Sequence, residues 1–294
     1  MYVRRKSNWY IYFIAFGITA VFVVVAIFAF KWYLFPSDTQ NTGVNKTNNA
    51  LEDEFTPTTE HCFRLLTMLS EGENDIPELF FLTEYNAPEN RITFVPLPNG
   101  ISVGGAGRPL QTIYVAQGGA EVVKAVEGAI GISVGYYVKM DKQSFEDLFT
   151  TFGNVEYEFT KTTLVKYGTD TKTFNAGKRL MAPEDAYNLM VKAEFDEGDA
   201  YRFKVAGEIL SEIINQNYRQ ANATRLDSYF NMLLKSETNL TEDVYKSYKP
   251  ALLNTVEYGT SPAEFYIPYG EYTADGGFDI AENSINTIKY KAGL

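Results

Sequence analysis

Twenty-two residues, Trp9 to Phe30, pass without one Asp, Glu, Lys or Arg, and Arg4, Arg5 and Lys6 stand just before them. A hydrocarbon core about 30 Å thick is crossed by about 20 helical residues, so the run is long enough to span a bilayer once. A cleaved signal peptide is the competing reading, but its apolar stretch is roughly 7–15 residues and ends in small residues. This run ends Phe28-Ala29-Phe30-Lys31-Trp32-Tyr33, bulky aromatics of the kind found at membrane interfaces. An uncleaved anchor is therefore expected over 9–35. The basic tail 1–8 stays cytoplasmic, and the rest of the chain lies outside the cell membrane, single-pass.

Charge narrows the partners. Of 26 Lys and Arg, four (Arg4, Arg5, Lys6, Lys31) lie in or beside the run, which leaves 22 against all 37 Asp and Glu, a net charge of about −15. Nucleic acid, whose phosphates demand a basic footprint, is excluded as a partner. So is broad adhesion to anionic lipid or wall polymer, although a local basic pocket is compatible with this charge. Cys62 is the one cysteine and His61 the one histidine. A lone Cys makes no internal disulfide, and its neighbouring His would point to the opposite face of a strand. Cys–His catalysis and a His-based zinc site fail on that count, and a Ser–His–Asp triad would depend on His61 with no nucleophile-elbow motif to support it.

Residues 36–60 are rich in Asn, Thr, Asp and Glu and read as an extracellular stalk. The globular pattern fills 61–294, the size of one α/β domain. Strand-like runs come first, at Cys62–Leu69, Glu78–Tyr85 and Arg91–Leu97, with Asn86-Ala87-Pro88-Glu89-Asn90 turning the last two into a hairpin. The glycine-rich loop Gly104-Gly105-Ala106-Gly107-Arg108-Pro109 lacks the Gly-x-Gly-x-x-Gly spacing and reads as an ordinary loop. Gly118–Ile130 is helical, with Val122, Val123, Val126 and Ile130 on one face, and Gly131 stops it. A strand at Tyr136–Met140 leads to Asp141, the N-cap of a helix carrying Phe145, Leu148, Phe149 and Phe152. Val155–Phe159 alternates as a further strand. Pro183 opens another helix, a loop at 194–199 interrupts, a long helix resumes near Tyr201, and a last one starts near Thr241. The tail 258–290 is expected to close the sheet edge. Alternating strands and helices predict an α/β sandwich, preceded by one transmembrane helix.

The order of these pieces resembles the LytR–CpsA–Psr family. The resemblance rests on Arg91–Pro98, Gln117–Glu127, Gly131–Asp141, Phe145–Leu148 up to Gly153-Asn154-Val155, Phe174–Lys178, Pro183–Tyr187, Gly198-Asp199…Arg202 and Thr238–Thr241. It implies a membrane-anchored α/β domain, a mixed central sheet sandwiched by helices in three layers, with an apolar pocket for a polyprenyl chain. It implies transfer of anionic glycopolymer from a polyprenyl pyrophosphate carrier to peptidoglycan, with arginines and Mg²⁺ holding the pyrophosphate and nearby Asp residues ligating the metal. Two phosphates carry charge that must be neutralised as the phosphodiester forms.

The chain departs from that pattern at its cations. Pro98-Asn99-Gly100 stands where the family has Pro-Arg-Asp, and Asp75-Ile76-Pro77 where it has Arg-Ser-Asp. Val191-Lys192-Ala193 replaces two alternating arginines, Val205-Ala206 replaces Arg-Gln, and Arg202 is retained. No catalytic residue is assigned. Arg108, Lys192, Arg202 and Lys204 are the candidate phosphate ligands. Asp75, Asp196 and Asp199, within the acid clusters 71–75 and 196–199, are the candidate metal ligands, with Mg²⁺ the cation that the resemblance implies. The favoured reading is a catalytically degenerate envelope protein that binds a polyprenyl-linked glycopolymer, a wall component such as peptidoglycan, or an envelope partner. An active phosphotransferase with a rebuilt site and a structural or sensory ectodomain are the alternatives.

Overall fold

A computed structural model describes residues 55–101, 108–273 and 277–294. The apolar run, most of the 36–60 stalk and the glycines of the 104–107 loop lie outside them. Among the described residues no helix is long and apolar enough to cross a membrane.

In chain order the strands are β1 (Phe63–Ser70), β2 (Leu79–Asn86), β3 (Arg91–Leu97), β4 (Tyr136–Asp141), β5 (Glu156–Phe159), β6 (Thr163–Tyr167), β7 (Asp170–Phe174), β8 (Gly177–Leu180), β9 (Glu237–Thr238), β10 (Ala263–Phe265), β11 (Gly270–Tyr272) and β12 (Phe278–Ile280). The α-helices are α1 (Leu110–Gln117), α2 (Gly119–Ile130), α3 (Lys142–Phe152), α4 (Pro183–Tyr187), α5 (Asp199–Asn217), α6 (Leu226–Leu233), α7 (Glu242–Tyr258) and α8 (Glu282–Lys291). One sheet organises them, in the order β10-β3-β2-β1-β4-β9. It is mixed: β1 pairs antiparallel with β2 and parallel with β4, and β3 pairs antiparallel with β2 and parallel with β10.

Both faces of this sheet are covered. Leu69, Phe81, Phe94 and Val138 pack with Phe145 and Phe149 of α3 and with Ile209 and Ile213 of α5. Leu66, Phe80, Leu82 and Val95 pack on the other side with Leu110, Val122, Val126 and Ile288 of α1, α2 and α8. Double coverage is why β2 opens as the unbroken apolar run Leu79-Phe80-Phe81-Leu82 rather than an alternating one. The expected sandwich of a mixed sheet between helices is present.

Local chemistry sets the helix ends. Asp141 caps α3 by accepting from Ser144 N at 2.7 Å. Gly131 ends α2 at φ 66°, the left-handed region. Pro183 takes the first helical position of α4, which then widens into one π turn, Asn188–Lys192.

Three expectations are corrected. The strand near Val155–Phe159 does not enter the central sheet; β5 pairs antiparallel with β8 instead. Residues 160–180, not read as strands, form the β6–β7 hairpin and then β8, which gives β5 this nearer partner. The helix at Thr241 is not the last, because α8 follows the tail strands. The tail does close the sheet edge, through β10 beside β3.

Gly207 lies in α5 where β10 crosses it. A Cβ there would sit 2.6–2.8 Å from the Cγ, Cβ and Cδ2 of Phe265. Gly207→Ala is expected to cost about 1–3 kcal/mol by overpacking despite Ala's better helix propensity. Urea denaturation of the two proteins measures it.

Candidate functional site

The carboxyl ends of β1, β3 and β4 lie at one edge of the sheet, where β2 begins. The connection from β1 to β2, residues 71–78, is held from three sides. Ser70 Oγ donates to Gly72 O at 2.8 Å, buried Lys139 of β4 donates to Glu73 O, and Gln111 Nε2 of α1 donates to Pro77 O at 2.9 Å. Gln111 also ties in the loop after β3: its backbone N–H donates to Asn99 Oδ1 at 3.0 Å, and its Oε1 accepts from Asn99 Nδ2 at 2.8 Å. Asn99 is thereby spent on capping α1 and fixing two loops together.

Between these loops and the π turn lies an open cleft of about 730 Å³, lined by Glu71, Asp75, Glu78, Gln111, Thr112 and Lys192 among others. Lys192 enters from the end of the π turn. Its ammonium lies 2.5 Å from Glu78 Oε1 and 3.3 Å from Glu71 Oε2. Partial burial disfavours its charge, but the hydrogen bonds and charges of Glu78 and Glu71 outweigh this and raise its pKa. Three carboxylates thus face one ammonium, which two of them already neutralise. Tyr187 is fully buried nearby, and its hydroxyl has no hydrogen-bond partner among the described residues. Burial first, then the charges of Glu71, Glu78, Asp141 and Asp75, push its pKa up, so it stays a neutral phenol.

The candidate phosphate ligands do not converge. Of the four, Lys192 lines the cleft. Arg202 donates to Asp199 Oδ1 at 3.0 Å and to the backbone oxygen of Val191 at 3.1 Å. Lys204 pairs with Glu208 at 2.5 Å, and Glu208 also accepts from Tyr157 Oη at 2.6 Å. Arg108 is exposed, two residues ahead of α1. The candidate metal ligands are likewise apart in role: Asp75 lines the cleft, Asp199 is paired with Arg202, and Asp196 is exposed on the loop before α5. Among the described residues no three His, Cys, Asp or Glu side chains are grouped to hold a metal ion. Asp75, Asp196 and Asp199 therefore do not form a joint Mg²⁺ site among the described residues, and no chemical step is routed through one.

Sequence reasoning missed Glu78 as a partner of Lys192, and missed Gln111. Glu78 lies 114 positions from Lys192, and no local pattern links them.

A separate apolar cavity of about 180 Å³ opens between the sheet and helices α3 and α5. Phe81, Phe94 and Met140 form its floor, and Phe149, Leu210 and Ile213 are among the residues of its roof. Apart from Thr67 and Thr83 the lining is apolar, which suits hydrocarbon.

A family model described as the LytR_cpsA_psr family matches residues 81–291. The chain belongs to the LytR–CpsA–Psr family. A curated relative is the polyisoprenyl-teichoic acid–peptidoglycan teichoic acid transferase TagU of Bacillus licheniformis, 26% identical over 151 residues, 49% of this chain and 48% of that one. The chain thus spans about half the length of the curated relative it matches. Among solved structures, a transcription regulator, so described, from Eubacterium siraeum superposes with a TM-score of 0.75 at 24% identity, covering 86% of this chain and 99% of that one. B. subtilis TagV gives 0.62 at 17% identity, covering 79% and 98%. TagT bound to LIIa-WTA gives 0.61 at 16% identity, covering 80% and 92%. At these identities the structures establish the fold. In this LytR–CpsA–Psr chain the cleft and the loops around it carry an amide at Asn99, an acid at Asp75 and a carboxylate-bound lysine at Lys192.

Proposed function

We propose that this LytR–CpsA–Psr chain is a membrane-anchored cell-envelope protein that binds a polyprenyl-linked glycopolymer or another wall component and does not transfer it efficiently. The observation that carries this reading is Lys192 held between Glu71 and Glu78 in a cleft that also contains Asp75. Phosphoryl-transfer sites hold their substrate with cations and donors aimed at phosphate oxygens. Here the cation is already paired, Asn99 is committed to Gln111, and Arg202 is committed to Asp199 and backbone carbonyls. Loss of one such donor costs about 10²–10³ in rate elsewhere.

The apolar cavity supports the lipid half of the reading. It is smaller than the roughly 300–1,000 Å³ of a typical ligand pocket, so it would seat part of a polyprenyl chain. The 22-residue run at Trp9–Phe30, read as an anchor, would keep the domain at the bilayer surface where such lipids are confined.

The test uses the full chain in nanodiscs with a polyprenyl-pyrophosphate glycan, a peptidoglycan acceptor and Mg²⁺, beside TagU. Transfer at least 10³-fold slower than TagU is expected. Transfer at a comparable rate would establish an active phosphotransferase instead. Lipid capture is tested separately with radiolabelled polyprenyl phosphate. Leu148→Trp, which fills the cavity from α3, is expected to lower binding at least tenfold while thermal stability holds. Absent binding by the parent chain would leave a structural or sensory ectodomain.

A further inference from the structure

We propose that Glu84 is a pH-operated latch on helix α8, clamping the helix end while protonated and loosening it once ionised. Glu84 sits in the middle of β2, fully buried, and both of its carboxyl oxygens lack a hydrogen-bond partner among the described residues. Charged and polar groups face it from every neighbouring element. Arg64 lies directly opposite on β1 and Thr93 directly opposite on β3. Arg91 of β3, Glu264 of β10 and Lys291 of α8 complete the cluster, with Glu89 paired to Arg91 at its outer side.

Neither arginine hydrogen-bonds Glu84; both bond the end of α8 instead. Arg64 Nη2 donates to Ala292 O and Arg91 Nη2 to Lys291 O, each at 3.1 Å. Arg64 Nη1 reaches Ser133 O at 3.5 Å, the outer limit of a hydrogen bond. Arg64 Nε is unpartnered, and Arg91 Nε lies 3.6 Å from Glu264 Oε1, an ion pair too long for a hydrogen bond. A neutral carboxyl fits this arrangement. An ionised one would be a stronger acceptor for a guanidinium than either backbone carbonyl, since it sets a full negative charge against the positive one. Ionisation therefore draws the guanidinium groups from Ala292 and Lys291 toward Glu84, and the end of α8 loses its clamps. Burial pushes the Glu84 pKa up to about 8, against the lowering pull of Arg64, Arg91 and Lys291. The changeover therefore falls within an ordinary extracellular pH range.

The helix is well placed to pass this on. Just before it, β12 bridges Ile101 through Phe278, whose N–H donates to Gly100 O, one residue from Asn99 at the cleft. Ser284 of α8 accepts from Tyr266 Oη at 3.0 Å and from Tyr269 N at 3.2 Å, tying the tail to the helix.

Hydrogen exchange of the full chain at pH 6 and pH 9, corrected for base catalysis, tests the latch. Protection over residues 285–292 is expected to fall at least tenfold at pH 9 in the parent and to stay level in Glu84→Gln, which mimics the protonated carboxyl. Equal behaviour of the two proteins overturns the proposal. A second readout stands apart from any mutation: the Glu84 carboxyl carbon, followed by NMR, is expected to titrate above pH 7. A midpoint below 7 overturns it.

Discussion

The double variant Glu71→Gln, Glu78→Gln is expected to bind inorganic pyrophosphate at least tenfold more tightly than the parent, by calorimetry at fixed ionic strength. In the parent, Lys192 is neutralised by these two carboxylates, at 2.5 and 3.3 Å. Their charges also repel an incoming phosphate. Two unit charges 4 Å apart interact by about 4 kcal/mol at an effective dielectric of 20. The lining is half-exposed, and solvent screening reduces each removed repulsion to about 1 kcal/mol. Two such contributions correspond to a gain of roughly ten- to thirtyfold. The glutamine amides keep the size of the lining and can still accept from Lys192. Lys192→Met in the double-variant background is expected to abolish the gain. Unchanged affinity in the double variant would show that the charge of this cleft does not govern phosphate binding.

The second large effect is on stability. Glu84 has a folded-state pKa of about 8 and a reference value of 4.5. The folded protein therefore holds a proton that the unfolded chain releases between those values, and stability falls as pH rises from 4.5 through 8. Above pH 8 the full cost of burying the charge is present, and below 4.5 it vanishes. From pH 6 to 8.5 the parent is expected to lose about 2–3 kcal/mol from this group. Glu84→Gln removes the dependence, so its advantage over the parent grows across the same window. Urea midpoints of both proteins at three pH values measure it. A parent that is equally stable at pH 6 and 8.5 relative to the variant would place the Glu84 charge in a well-solvated or well-paired setting.

These two sites differ in how far the sequence reveals them. The acids at 71–75 stand out in the chain as a cluster. Their charge was legible; their pairing with Lys192 was not, because Lys192 reaches Glu78 across 114 positions and Glu71 across still more. Glu84 was not singled out at all. In Leu82-Thr83-Glu84-Tyr85 it looks like an outward position of a half-exposed strand. Helices on both faces of the sheet remove that outward side, and α8, which covers it, was absent from the predicted element order.

The strands of residues 160–180 failed for a different reason. Thr163–Tyr167 is short and alternating, and Asp170–Phe174 is mostly polar. Neither carries enough apolar residues to stand out against a loop. The strands β1–β3 were readable because their apolar runs are longer than any loop tolerates, and α3 because four aromatic or aliphatic residues recur at helical spacing behind a capping Asp.

The sequence by itself determined the α/β class, the first three strands and the acidic balance. Each is a property of neighbours along the chain or of totals over it. Only the tertiary structure decided that Lys192 is held by Glu71 and Glu78, that Asn99 is spent on Gln111, and that Glu84 is buried beneath the end of α8. Those outcomes depend on which strand ends share an edge and which helix covers which face. Packing sets them through contacts between residues tens to hundreds of positions apart.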